Sequence, residues 1–314
     1  MTDQAVPAAI PGERIDPLPK SQDKALHAIE DRSHAAGTGF RAFTRFTEAK
    51  ASLLAAGTTY YLFLSLFALI AAAFGITFAL GADSVADTIN EALASAFPNL
   101  TGEQGINPAT LQSVGKAAGI IGVLVLLYSS SGAMVAASAS LHQIYGAAKD
   151  GRNFVLARVR LIGWLLLLAP IALISFAPGV LVADWTQPLR ESIGATGAVG
   201  TVVLWVVTTA ASWLLDFLVL LLLLTHLGGI RPQRRAVVIA SAVGAVGIEI
   251  LKSAMGLIVA WSIAKPQYGA FALPITTLLV LYLLTTVTYG SAALAAGLAE
   301  KHAARQPAPE DSPA

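Results

Sequence analysis

Six long apolar runs punctuate the chain, at residues 51–80, 114–137, 159–183, 199–225, 236–264 and 271–298. Each exceeds the roughly 20 residues that a helix needs to cross about 30 Å of hydrocarbon. Lipid gives backbone amides and carbonyls no partner, so a spanning segment is either a helix or a strand of a closed barrel. Barrel strands alternate apolar and polar positions. These runs are continuous, so they predict helices. Several are longer than a bilayer requires, which predicts tilt or interfacial ends. The expected fold is an all-α polytopic membrane helix bundle with six transmembrane helices, contained in residues 39–300.

Two shorter patterns suggest helices lying on the membrane surface. Phe40, Phe43 and Phe46 recur every third residue among Arg41, Arg45 and Lys50, as in a cationic interfacial helix leading into the first span. After that span, Val85, Ile89, Leu93 and Phe97 fall four residues apart, with Asp87 and Glu91 elsewhere. This predicts an outer amphipathic helix at 84–97 that Pro98 ends. For both helices, plain packing against the ends of the bundle is the alternative. The flanking segments 1–38 and 301–314 are polar and Pro-rich, as expected of disordered tails. Pro7, Pro11, Pro17 and Pro19 interrupt the first, which shows no apolar core of a cleavable signal. The first span is therefore expected to act as both signal and anchor.

Charge gives the bundle a direction. Arg32, Arg41, Arg45, Lys50, Lys149, Arg152, Arg158, Arg160, Arg231, Arg234, Arg235, Lys301 and Arg305 flank alternate ends of the spans. The opposite ends carry only Lys116, Arg190 and Lys265. That asymmetry predicts both the N and C termini on the cytoplasmic side of a cell (inner or plasma) membrane. Charged residues make up 12% of the chain, about half the share usual in soluble domains. The net charge of +1 gives no global basic balance, so no nucleic-acid partner is expected. Cysteine is absent, which removes disulfides, thiolate metal sites and Cys nucleophiles.

Ionisable residues deep inside spans carry the sharpest chemical signal, because each costs about 2.5–3.5 kcal/mol at the bilayer centre. Three are present: Asp216 in the fourth span, and Glu249 with Lys252 in the fifth. Glu249 and Lys252 are three residues apart and share a helix face. At 1.5 Å per residue, Glu249 lies roughly 20 Å and Asp216 about 14 Å from the inner ends of their spans. The short connection makes these helices plausible antiparallel neighbours, so Asp216 is placed to approach the pair. With all three ionised the centre carries a net negative charge, which favours a held proton or a bound cation. The alternative is a self-neutralised pair that only fixes helix register.

Polar stripes point to a hydrated interior. They comprise Thr58, Tyr61 and Ser65 in the first span, and Ser129, Ser130 and Ser131 in the second. Thr209 and Ser212 precede Asp216 in the fourth, and Tyr282, Thr285, Thr286 and Tyr289 line the sixth. Together these are candidate linings of an internal polar cavity. Helix–helix packing is the competing account of each stripe taken alone. Ala236, Ala240 and Gly244 repeat every four residues, as in close small-residue packing, and self-association into a homo-oligomer stays open. Pro170 and Pro178 are expected to kink the third span.

Catalytic motifs are not supported. The Gly37–Ala42 stretch loosely fits a dinucleotide fingerprint but has no βαβ unit around it. No P-loop and no nucleophile elbow occurs, and the five histidines are scattered without metal-ligand spacing. No enzyme activity, metal or cofactor is expected.

Three ordered segments resemble the YihY/BrkB family of bacterial inner-membrane proteins. The first is Tyr60-Tyr61-Leu62-Phe63-Leu64-Ser65-Leu66-Phe67. The second is Tyr128-Ser129-Ser130-Ser131-Gly132-Ala133, leading to Leu141-His142-Gln143-Ile144-Tyr145-Gly146. The third is Glu249-Ile250-Leu251-Lys252, followed by Tyr268-Gly269-Ala270. The resemblance covers roughly residues 40–300. It departs from the family at Ala68, where a proline is usual, and at Gly290-Ser291-Ala292, which replaces a Gly-Ala-Glu. It implies that Glu249 and Lys252 matter, structurally or functionally. A ribonuclease label once attached to the family does not fit, since a metal nuclease needs clustered carboxylates or histidines. The expected function is a non-ATP-driven transporter or binder of a small solute or lipid, with membrane lipids as neighbours. An envelope-maintenance or assembly factor without transport is the alternative.

Overall fold

The computed structural model describes residues 34–81, 85, 87–91, 108–146, 153–176, 198–227, 233–263 and 272–303. Among them, helices follow one another as α1 (His34–Glu48), α2 (Ala51–Ala79), α3 (Pro108–Ser130) and α4 (Gly132–Tyr145). Next come α5 (Phe154–Phe176), α6 (Ala198–Leu222) with a π-helical turn at Leu223–Leu227, α7 (Arg234–Ile263) and α8 (Ala272–Ala303). No strand occurs among the described residues. Among the described residues six segments are long and apolar enough to cross a membrane: Ala51–Ala79, Ile121–Tyr145, Val155–Phe176, Trp205–Leu227, Arg234–Met255 and Pro274–Ala299. The all-α six-span membrane bundle read from the apolar runs is the architecture observed.

Local chemistry sets the joints. Lys50 adopts a left-handed conformation (φ 52°) between α1 and α2, and its carbonyl accepts the amides of Leu53 and Leu54 at 2.9 and 3.1 Å. Gly146 (φ 66°) ends α4, where a residue lacking Cβ enters the left-handed region without steric cost. Between α3 and α4 the Ser131 amide still reaches Leu127 O at 3.0 Å, so the junction is a local irregularity within one spanning unit. Ser130 and Ser131 hydroxyls donate to the carbonyls of Leu127 and Tyr128 at 3.0 and 2.6 Å. Such back-bonding competes with the helical ladder and bends helices. α5 runs through Pro170 as a single helix, while Pro178 and residues 177–183 lie outside the described residues.

Packing is tightest at the end of the bundle where α2, α5 and α7 begin and α4 and α8 finish. There Ala51, Leu141, Leu224, Val237, Ala240, Ala292, Ala295 and Ala296 are buried in one continuous core. α8 is the hub of the bundle, touching α1, α2, α4 and α7. Small residues allow the approach. A Cβ on Gly244 would collide with Ser291 Oγ and lie 2.7 Å from a Leu220 methyl. One on Gly247 would lie 3.0 Å from Val287.

The segment before the first span packs against the end of the bundle, the alternative to a helix lying on the membrane. α1 starts at His34, inside the stretch expected as tail, and it packs along the end of α8. Arg41, Thr44 and Arg45 are buried, whereas Phe43 is 69% exposed. A Cβ on Gly297 would lie 3.1 Å from the Ala42 amide, so the two helices nearly touch. Phe43 points away from the bundle, while Phe46 is half-buried against the core. Residues three apart drift around a helix, whereas Arg41 and Arg45, four apart, stay together. Of the outer amphipathic helix expected at 84–97, Val85 and residues 87–91 are described and helical. Ile89 packs against Ile70 and Phe74, with Asp87 and Glu91 exposed.

Candidate functional site

The three intramembrane charges meet. α6 carries Asp216, α7 carries Glu249 and Lys252, and the antiparallel packing of these helices brings them to one level. Lys252 Nζ lies 2.7 Å from Asp216 Oδ2 and 3.8 Å from Glu249 Oε1. The centre sits roughly 27 Å along α7 from Arg234 at 1.5 Å per residue. That places it in the half of the bundle away from the alanine-rich core.

α5 completes the centre. Lys252 donates to the Ser175 carbonyl at 2.9 Å, to Ser212 Oγ at 3.0 Å and to Ser175 Oγ at 3.2 Å. Both hydroxyls can accept, because their protons are used elsewhere: Ser212 donates to Ser175 O and Ser175 to Ala172 O, each at 2.7 Å. Ser175 lies in the last turn of α5, where carbonyls lack helical partners and the helix dipole favours a cation. The Phe176 ring stands 4.7 Å from the ammonium. Three N–H donors thus face four acceptors, and Lys252 is saturated.

Glu249 is the exception. Its Oε1 is buried and has no hydrogen-bond donor, although the side chain as a whole is 19% exposed. The indole Nε1 of Trp213 on α6 is likewise buried without a partner. The Trp213 ring stacks on Phe217 and packs near Ala245 and Ile248. An unsatisfied buried acceptor is costly, and such groups concentrate where a ligand or water completes them. One ammonium between two carboxylates leaves the centre with an excess negative charge when all three are ionised.

The hydroxyl residues named from the sequence are distributed over several environments. Ser212 joins the charged centre. Thr58, Tyr289 and Ser140 form a buried network between α2, α4 and α8, with Thr58 Oγ1 2.6 Å from Tyr289 OH and 3.4 Å from Ser140 Oγ. Thr285 is buried and accepts from Thr59 at 3.4 Å, and Thr286 donates to Tyr282 O at 2.7 Å. Ser65 is buried, Tyr282 and Thr209 are half-buried, and Ser130 and Ser131 bond their own helix. Tyr61 and Ser129 are exposed on the outside of the bundle. Ser175 and Phe176 are members of the centre that the charge pattern alone does not reveal. Their signal is weak: a lone serine between two prolines in an otherwise apolar span.

The histidines serve locally. His142 Nδ1 lies 2.7 Å from Ser138 O, and His226 Nδ1 lies 2.7 Å from Thr225 Oγ1. Among the described residues no three His, Asp or Glu side chains are grouped to hold a metal ion. Residues 42–314 match the family model described as Virulence factor BrkB, and with that coverage the chain belongs to the family. No curated protein and no solved structure matches the chain.

Proposed function

Taking BrkB family membership as the premise, we propose that this integral membrane protein binds and moves a small solute or lipid without ATP. The charged centre of Asp216, Glu249 and Lys252 is the binding element. The observation that supports this most directly is the asymmetry between its carboxylates: Asp216 is hydrogen-bonded to Lys252, while Glu249 Oε1 is buried without a donor. Such an acceptor suits a ligand group that brings a hydrogen-bond donor or a positive charge. No P-loop occurs in these residues to couple the site to a nucleotide. In the same proposal both termini are cytoplasmic and the membrane is the inner or plasma membrane, as the basic residues favour.

The test is flux in proteoliposomes containing the full chain. Radiolabelled methylammonium serves as the cationic donor probe, and a fluorescent phospholipid as the lipid probe. Flux of either above protein-free liposomes, abolished by Glu249→Gln at unchanged folding yield, is the expected result. Absence of both fluxes, with cells carrying Glu249→Gln indistinguishable from wild type, would overturn the proposal. The second reading, an envelope-assembly factor without transport, draws support from the saturation of Lys252 and from the buried Thr58–Tyr289 bond, both of which hold helices together.

A further inference from the structure

We propose that Arg158, near the start of α5, holds the phosphate of an anionic lipid against the outside of the bundle. Arg158 falls inside the apolar span Val155–Phe176. Its neighbours Val155, Leu156 and Val159 are exposed, as are Leu124, Val125 and Tyr128 on α3. On a membrane helix such apolar surface faces acyl chains. The guanidinium is set into it: its Cζ stands 4.4 Å from the centroid of the Tyr128 ring, and Nη2 reaches Tyr128 O at 3.4 Å. Nε is buried with no acceptor, and no carboxylate pairs with Arg158 among the described residues.

Arg160, two residues on, shows the contrast. Its Nη2 donates to His226 O at 2.8 Å and helps satisfy the end of the π-helical turn. The corresponding bond of Arg158, to Tyr128 O, is longer at 3.4 Å and leaves Nε without an acceptor. A cation in an apolar surface without a counter-ion is costly, and in a bilayer the anions within reach are lipid phosphates. The guanidinium fork matches two phosphate oxygens at once. The Tyr128 ring beneath it covers one face and holds the fork in place. Because no carboxylate of the described residues balances this charge, the occupant is a phospholipid with net negative charge, not a zwitterionic one.

The full chain, delipidated in detergent, is titrated with phosphatidylglycerol or phosphatidylcholine, and bound lipids are counted by native mass spectrometry. Wild type is expected to bind phosphatidylglycerol more tightly. Arg158→Gln should weaken that binding about fivefold and leave phosphatidylcholine unchanged. Arg158→Lys, which keeps the charge but loses the fork, should fall between the two. Tyr128→Leu keeps the cation and removes its platform, with an expected loss of about twofold, and it serves if Arg158→Gln fails to fold. Equal binding of the two lipids by wild type would overturn the proposal, as would undiminished phosphatidylglycerol binding by Arg158→Gln. So would a change of oligomer mass in Arg158→Gln at constant lipid per chain, which would make this face a contact with a second copy.

Discussion

Asp216→Asn and Glu249→Gln remove the same kind of charge from the same centre, yet they are expected to differ sharply. At an effective dielectric of about 20, unit charges 2.7 Å apart attract by about 6 kcal/mol and those 3.8 Å apart by about 4 kcal/mol. Distance alone therefore separates the two carboxylates only modestly. Two further effects widen the gap. Asp216 also makes a hydrogen bond to Lys252, which Glu249 does not. Glu249 meets an ammonium already joined to Asp216, so repulsion from that carboxylate offsets much of its attraction. Removing one partner of a buried pair costs about 3–5 kcal/mol. Asp216→Asn should accordingly lower the thermal midpoint in detergent by at least about 5 °C, and Glu249→Gln by less than about 2 °C. The tryptophans report unfolding on heating, and gel filtration before heating confirms monodisperse protein. Combining Asp216→Asn with Lys252→Met should recover part of the loss of either single change, because no unpaired charge of that pair remains. Equal destabilisation by Asp216→Asn and Glu249→Gln would refute the division into a structural and an open carboxylate.

Other consequences are simpler to state. Gly244→Leu should lower stability by about 1–3 kcal/mol, because Ser291 and Leu220 occupy the space, while Gly163→Leu, with nothing within 4 Å, should be close to neutral. Similar melting of the two variants would contradict the close packing of α7 on α8. Tyr289→Phe removes the 2.6 Å bond to Thr58 and should cost about 1 kcal/mol, read as a lowered thermal midpoint. In this cysteine-free chain, Asp87→Cys should react with an impermeant maleimide in intact cells, and Gln233→Cys only after permeabilisation; both sites are exposed. Reversed labelling would invert the topology.

The spans are legible in the sequence because membrane insertion depends mainly on length and apolarity, both local properties of a run. Their mutual packing is legible only where residue size decides it, as along Ala236, Ala240 and Gly244, all buried against neighbours. α1 is harder. Its phenylalanines suggest one membrane-facing stripe, but Phe43 is exposed while Phe46 packs with the face that carries Arg41 and Arg45, and the partner that admits that face is Gly297, far away in sequence. A helix pattern shows which residues share a face; it does not show which face finds a neighbour.

The charged centre illustrates the same boundary from the functional side. Spacing puts Glu249 and Lys252 on one face, and antiparallel order brings Asp216 within range, but neither ranks the two carboxylates. The ranking comes from α5, whose Ser175 carbonyl and hydroxyl, with Ser212, draw the ammonium into contact with Asp216 and leave Glu249 Oε1 without a donor. In one half of the bundle the alanines of α7 and α8 pack among Leu141, Leu224 and Tyr289 in a continuous apolar core that carries no charged side chain among the described residues. The Lys252–Asp216 pair lies outside that core, beside Phe176 of α5 and on the helix that carries Trp213 and Phe217. The Gly244 and Gly247 contacts with α8 lie on the same stretch of α7 as Glu249, between it and that core, so under the proposed transport role their tightening by larger side chains should slow flux.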